Sequence, residues 1–133
     1  MTDESRVEKH YASEGITTRV LAAIRCASGP DVPITPDALA PIDHFHGKGV
    51  LATQELAAAL QPKPTDHLLD IGCGIGGPAR WIVAKYDCLV TGVDLTVEFC
   101  EAARELNSLC GSCWPRTDPA WRRPRASRAG QWL

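Results

Sequence analysis

Apolar positions set the outline of this chain. Ile16, Val20, Ile24 and Ala27 recur at helical spacing and Gly29-Pro30 supplies a stop, which predicts a helix over Thr17–Ala27. The next dozen residues hold Pro30, Pro33, Pro36 and Pro41 and read as a linker, with room for one short turn capped by Thr35 with Pro36 at its first position. Gly49 to Leu60, mostly alanine and leucine, reads as a second helix ended by Pro62 and Pro64. His67–Ile71 is short and apolar, as a buried parallel strand is. Pro78 then opens a helix whose apolar face is Ala79, Ile82, Val83 and Tyr86, with Arg80 and Lys85 expected to point away. Cys88–Val93 predicts a second strand. Thr96 is expected to cap a further helix, with Glu98 in its first turn and Phe99, Ala102, Ala103 and Leu106 on its inner face.

The pattern is β-α-β-α behind N-terminal helices, the first half of a doubly wound α/β sheet. Two parallel strands by themselves leave edges unpaired and a face uncovered, so such a unit is expected to be marginal.

The 133 residues are 44% hydrophobic and 23% charged, a globular composition that fits at most one small domain. The first residues are polar and no apolar run reaches the length of a membrane span, so neither a signal peptide nor a membrane segment is expected. The six cysteines are scattered rather than arranged as a disulfide framework, which points to free thiols and a cytoplasmic location. A net charge of −2 gives no general pull toward nucleic acid or anionic membrane. That figure conceals a split. Residues 1–110 carry nine Lys and Arg against 15 acids, whereas residues 111–133 carry five Arg, no Lys and one acid, together with three of the four Trp.

The chemistry concentrates in residues 68–77, LLDIGCGIGG. An apolar strand that ends in an acid and then a glycine turn puts a carboxylate and backbone N–H groups at one mouth, beside a helix N-terminus. Asp94, at the end of the next strand, is placed to accept hydrogen bonds from ribose hydroxyls. This spacing describes a nucleoside-cofactor site, and two cofactor classes satisfy it. Gly72, Gly74 and Gly77 fit G-x-G-x-x-G with Asp94 about 20 residues onward, the pattern of an NAD(P)-dependent oxidoreductase. Gly72, Gly74 and Gly76 fit G-x-G-x-G, with Asp70 two residues earlier. A carboxylate there repels a pyrophosphate and attracts the ammonium of an amino-acid moiety, which favours S-adenosylmethionine.

Residues 68–77 resemble the glycine-rich motif of class I S-adenosylmethionine-dependent methyltransferases, and Gly92-Val93-Asp94-Leu95-Thr96 resembles the acidic motif that follows it. The stretch from Ile42 to Asn107 is similar throughout to the small-molecule branch of that family, in which DIGCGIGGPAR and GVDLT are paired. Residues Ala40 to Gly47 also resemble the N-terminal extension of some of these enzymes. The resemblance implies a Rossmann-like methyltransferase fold of which this chain holds only the first half. It also implies methyl transfer to a small-molecule acceptor, with the cofactor held by Asp70, Gly72, Cys73, Gly74, Gly76, Asp94 and Leu95. The residues that choose the acceptor belong to the later half, so no catalytic residue is assigned.

The expected organisation is an N-terminal helical extension and linker over 1–41, a partial cofactor-binding domain over 42–107, and an atypical tail over 108–133. The tail's Arg, Trp and Pro enrichment, and its scarcity of aliphatic residues, with Leu133 the only one larger than alanine after Cys113, match an alternative reading frame of GC-rich coding DNA. It is therefore expected to lie outside the ancestral fold, through frameshift or truncation, and to leave a fragment with weak or no activity.

Other candidates have bland alternatives. His44 and His46 flank Phe45 and read as polar residues at a helix entry; the alternative is a segment that lids the cofactor cleft, with His46 as a substrate contact or base. A metal site from His44, His46 and His67 matches no zinc spacing. Tyr11 reads as packing of the first helix. Cys110 and Cys113 have redox-motif spacing without the helix N-terminus that a reactive pair needs.

Overall fold

The computed structural model describes residues 15–44 and 48–110. In order, its elements are α1 (Ile16–Ser28), α2 (Pro36–Asp43), α3 (Val50–Leu60), β1 (His67–Ile71), α4 (Gly77–Tyr86), β2 (Leu89–Val93) and α5 (Val97–Leu109). The expectations for Tyr11, Phe45, His46, Cys113 and the rest of the Arg/Trp-rich tail fall outside the described residues.

Both strands form where the apolar runs placed them, and they pair in parallel with His67 opposite Leu89 and Asp70 opposite Gly92. The crossover is α4. Its packing with β2, α3 and the first half of α5 builds the main core, which contains Ala57, Ala79, Ile82, Val83, Cys88, Val90 and Ala103. A second core joins α1, α2 and the end of α5 through Val20, Ile24, Leu39, Leu106 and Cys110. The result is a β-α-β-α unit with parallel strands, as the sequence pattern predicts.

The linker is more ordered than its prolines suggest. Thr35 caps α2 as expected, its hydroxyl accepting from the Ala38 N–H at 3.2 Å, and α2 continues past Pro41 to Asp43. The boundary expected between residues 41 and 42 therefore falls inside a helix that packs on α4. The boundary after Asn107 likewise falls inside a helix. Here α5 runs to Leu109, and Cys110 is buried in the second core.

Three expectations from helical faces are corrected. Arg80 does not point away: it is fully buried. It lies in the first turn of α4, where α2 and the end of α5 converge, and its polar partners come from residues 27 and 37 positions away. Phe99 is 38% exposed and lines the open cleft beside the glycine turn, while Ala102, Ala103 and Leu106 are buried as expected. Thr96 sits at the N-cap of α5 but makes no side-chain cap, since the neighbouring Asp94 carboxylate accepts the Thr96 N–H instead.

One face of the sheet stands open. Leu69 is 62% and Ile71 78% exposed, and Leu89 in the partner strand is also exposed. On this face His67 Nε2 lies 2.7 Å from Thr91 Oγ1. Large aliphatic side chains at such exposure mark a surface shaped for a further layer.

Candidate cofactor site

The site begins where β1 stops. Gly72, Gly74 and Gly76 all have positive φ, at 75°, 54° and 85°, a region that side-chain-bearing residues reach only at a cost. A Cβ built at Gly72 or Gly74 meets nothing within 4 Å. Glycine is needed there for backbone conformation, and the space beside the turn is open to a ligand.

Gly77 is different. A Cβ on it would run into the Cβ and backbone of Asp43, so α2 and the start of α4 touch backbone to backbone.

The turn's N–H groups do not behave as expected. Gly72 and Cys73 both donate to the carbonyl of Val93, at 2.8 and 3.1 Å. Gly74 donates to Asp94 Oδ2 at 2.9 Å, and Gly76 donates to the Cys73 carbonyl. The bare donors anticipated at the mouth are thus engaged within the protein. At the helix N-terminus Pro78 has no N–H, and Asp43 packs on Gly77. A dinucleotide pyrophosphate depends on such donors, so the turn is a poor phosphate cradle. The GxGxxG spacing is present, but four of the turn's N–H groups are already engaged within the protein.

Asp94 organises the other strand end. Its two carboxylate oxygens accept from the Gly74 and Thr96 N–H groups, both at 2.9 Å, joining the glycine turn to the start of α5. Each oxygen retains a lone-pair direction for a further donor.

A cleft of about 1040 Å³ runs beside the turn. Of the expected cofactor residues, Asp70, Gly72, Cys73 and Gly74 line it. Asp94 reaches it through its bond to Gly74, Gly76 is buried as the N-cap of α4, and Leu95 stands 59% exposed next to Asp94. The opposite wall comes from the N-terminal helices: Arg19 and Val20 of α1, Asp43 of α2, and Thr53 and Leu56 of α3. Sequence reasoning missed this wall. Its only signal was the resemblance of residues 40–47 to an N-terminal extension.

Burial pushes the Cys73 thiol far above its usual range, and the nearby Asp70 carboxylate adds to the effect. Cys73 is therefore a protonated packing group whose Sγ lies 3.7 Å from the Gly74 carbonyl. Burial also raises the Asp43 carboxyl, with Arg80 pulling it partway back. His44 Nδ1 is 2.9 Å from Thr53 Oγ1 in the interior, and His67 is engaged on the open sheet face. These two histidines serve separate surfaces.

The geometry is a glycine turn and two strand-end acids beside an open cleft, at the ends of two parallel strands. Comparison with known proteins finds partial matches. Residues 51–112 match the family model described as mycolic acid cyclopropane synthetase. Phosphoethanolamine N-methyltransferase of Triticum aestivum is 39% identical over 57 residues, which is 43% of this chain and 11% of that protein. The 24-methylenesterol C-methyltransferase 2 of Oryza sativa subsp. japonica is 40% identical over 58 residues, 44% of this chain and 16% of that protein. Among solved structures, Haemonchus contortus phosphoethanolamine N-methyltransferase 2, in complex with phosphomonomethylethanolamine and S-adenosylhomocysteine, aligns with a TM-score of 0.46 and 26% identity, covering 61% of this chain and 18% of that one. The likeness over residues 51–112 is thus to methyltransferases and to the cyclopropane synthetase family model. The matched stretch spans less than a fifth of the length of these relatives.

Proposed function

We propose that this chain is the cofactor-binding part of a methyltransferase that moves a methyl group from S-adenosylmethionine to a small-molecule acceptor. The observation that carries the reading is the glycine turn itself: it has open space for a ligand but spends the Gly72, Cys73 and Gly74 N–H groups on Val93 and Asp94. That suits a cofactor without phosphates. When bound, S-adenosylmethionine supplies an electrophilic methyl group on a sulfonium.

The residues present fit that group. Asp70, on the cleft wall, offers a carboxylate for the ammonium of the methionine moiety. Asp94 keeps lone pairs for the ribose hydroxyls while holding Gly74 in place. Gly72 and Gly74 leave room for close approach. The chain's contribution to the reaction is positioning, since an in-line displacement at a methyl group needs alignment first and a base only if the acceptor must lose a proton.

The acceptor belongs to the proposal only as a class. One relative's name specifies transfer to nitrogen and another's to carbon, so the stretch they match in this chain does not by itself set the receiving atom. A cytoplasmic location is part of the same reading and rests on the described cysteines being free thiols. Among the described residues no helix is long and apolar enough to cross a membrane.

Titration calorimetry with S-adenosylhomocysteine and, separately, with NADH tests the proposal. Binding of the first and not the second is expected. Preference for NADH would return the site to the oxidoreductase class, and binding of neither would make the chain a non-catalytic fragment.

A further inference from the structure

The Arg80 side chain is the most deeply buried charge among the described residues, at 0% exposure, and it touches three separate segments. Its Nη1 donates to Asn107 Oδ1 of α5 at 2.9 Å. Its Nη2 donates to Asp43 Oδ1 of α2 at 2.7 Å and to the carbonyl of Ile75, in the glycine turn, at 2.8 Å. Asp43 and Ile75 line the cleft, whereas Arg80 stands behind them.

A buried ion pair is a poor device for stability alone, because desolvation consumes much of the Coulombic gain. This one also leaves Arg80 Nε buried without a partner, a further cost. What the arrangement does deliver is geometry. A single planar fork joins the wall formed by α2 to the wall formed by the turn, and the Gly77 contact removes any slack between them.

We propose that Arg80 is a positioning residue for the cofactor cleft: by locking Ile75 of the glycine turn to Asp43 of α2, it fixes the gap into which the cofactor fits. The proposal rests on the methyltransferase reading for the identity of the ligand but not for the existence of the tie. Arg80 touches no ligand and acts through the backbone of the turn. Lysine cannot replace it, since one ammonium on a flexible stem cannot hold Asp43, Asn107 and the Ile75 carbonyl in a fixed plane.

The test uses the full chain and two variants. Arg80→Met combined with Asp43→Asn removes both charges together, so no lone charge is left inside. Arg80→Lys keeps the charge opposite Asp43 but loses the fork. Three quantities are read for each: the thermal midpoint, amide hydrogen exchange of residues 72–76, and affinity for S-adenosylhomocysteine by calorimetry. The expected result for the double variant is turn amides exchanging at least tenfold faster and affinity at least tenfold weaker, both beyond what any fall in its midpoint accounts for. Arg80→Lys should shift exchange and affinity in the same direction. Parent-like exchange in the double variant, or losses in both variants that only track the midpoint, would overturn the proposal. Exchange is measured without ligand. A parent chain with a protected turn that ignores S-adenosylhomocysteine therefore sinks the cofactor reading, while the exchange comparison still decides the role of Arg80.

Discussion

Replacing Asp94 with alanine removes more than a contact to a ligand. Its carboxylate accepts two backbone N–H groups, Gly74 and Thr96, each at 2.9 Å. Hydrogen bonds to a charged acceptor contribute about 1.5–3 kcal/mol each. The low end applies here because Asp94 is only half-buried, which gives a local loss of roughly 3 kcal/mol for the pair. The Thr96 bond also replaces the missing side-chain cap of α5, so the start of that helix should fray. Loss of one further charge-assisted bond, to the ribose, should weaken S-adenosylhomocysteine by roughly ten- to a hundredfold. Asparagine separates the contributions. It has one acceptor oxygen, so its NH2 must face either the Gly74 or the Thr96 N–H, donor against donor. Asp94→Asn should therefore lie between the parent and Asp94→Ala in both stability and affinity. Calorimetry on variants shown by circular dichroism to be folded reads the affinity, and thermal melts read the stability. A folded Asp94→Ala chain with parental affinity would refute the assignment of Asp94 to the site.

Three other outcomes are expected. Gly77→Ala forces a Cβ into the backbone of Asp43 and should destabilise the fold by about 1–3 kcal/mol or more in a thermal melt, whereas a parental midpoint would show that α2 and α4 do not touch as described. Brief alkylation of the native chain near neutral pH, followed by peptide mass spectrometry, should modify exposed Cys26 and spare Cys73 and Cys88, whose thiols are buried and pushed up by that burial; rapid labelling of Cys73 would contradict the packed turn. Ile71→Lys, on the open sheet face, should change stability by no more than about 0.5 kcal/mol and reduce self-association in light scattering, and a large loss of stability would mean that Ile71 is covered.

Much of the local structure was written in the order of residues. Proline and glycine punctuation located the ends of α1 and α3, strand-length apolar runs located β1 and β2, and Thr35-Pro36 located the start of α2. These signals are local because capping, φ restriction and apolar spacing act over a few residues. The glycine turn and its two acids were legible for the same reason, as was the preference for a cofactor without phosphates, since Asp70 stands beside the turn in sequence as in space. Tertiary structure decided what depends on distant partners. Arg80 sits where a helical wheel puts a solvent-facing charge, and only the convergence of α2, α5 and the turn makes that place an interior one. Asp94 was read as a ligand group, but its first task, holding Gly74 and Thr96, appears only once β2 lies beside β1. The N-terminal helices were read as an extension, and packing made them a wall of the cleft. A periodicity reports which face of an element is apolar, whereas the neighbours that face it are set by long-range packing that no local window contains.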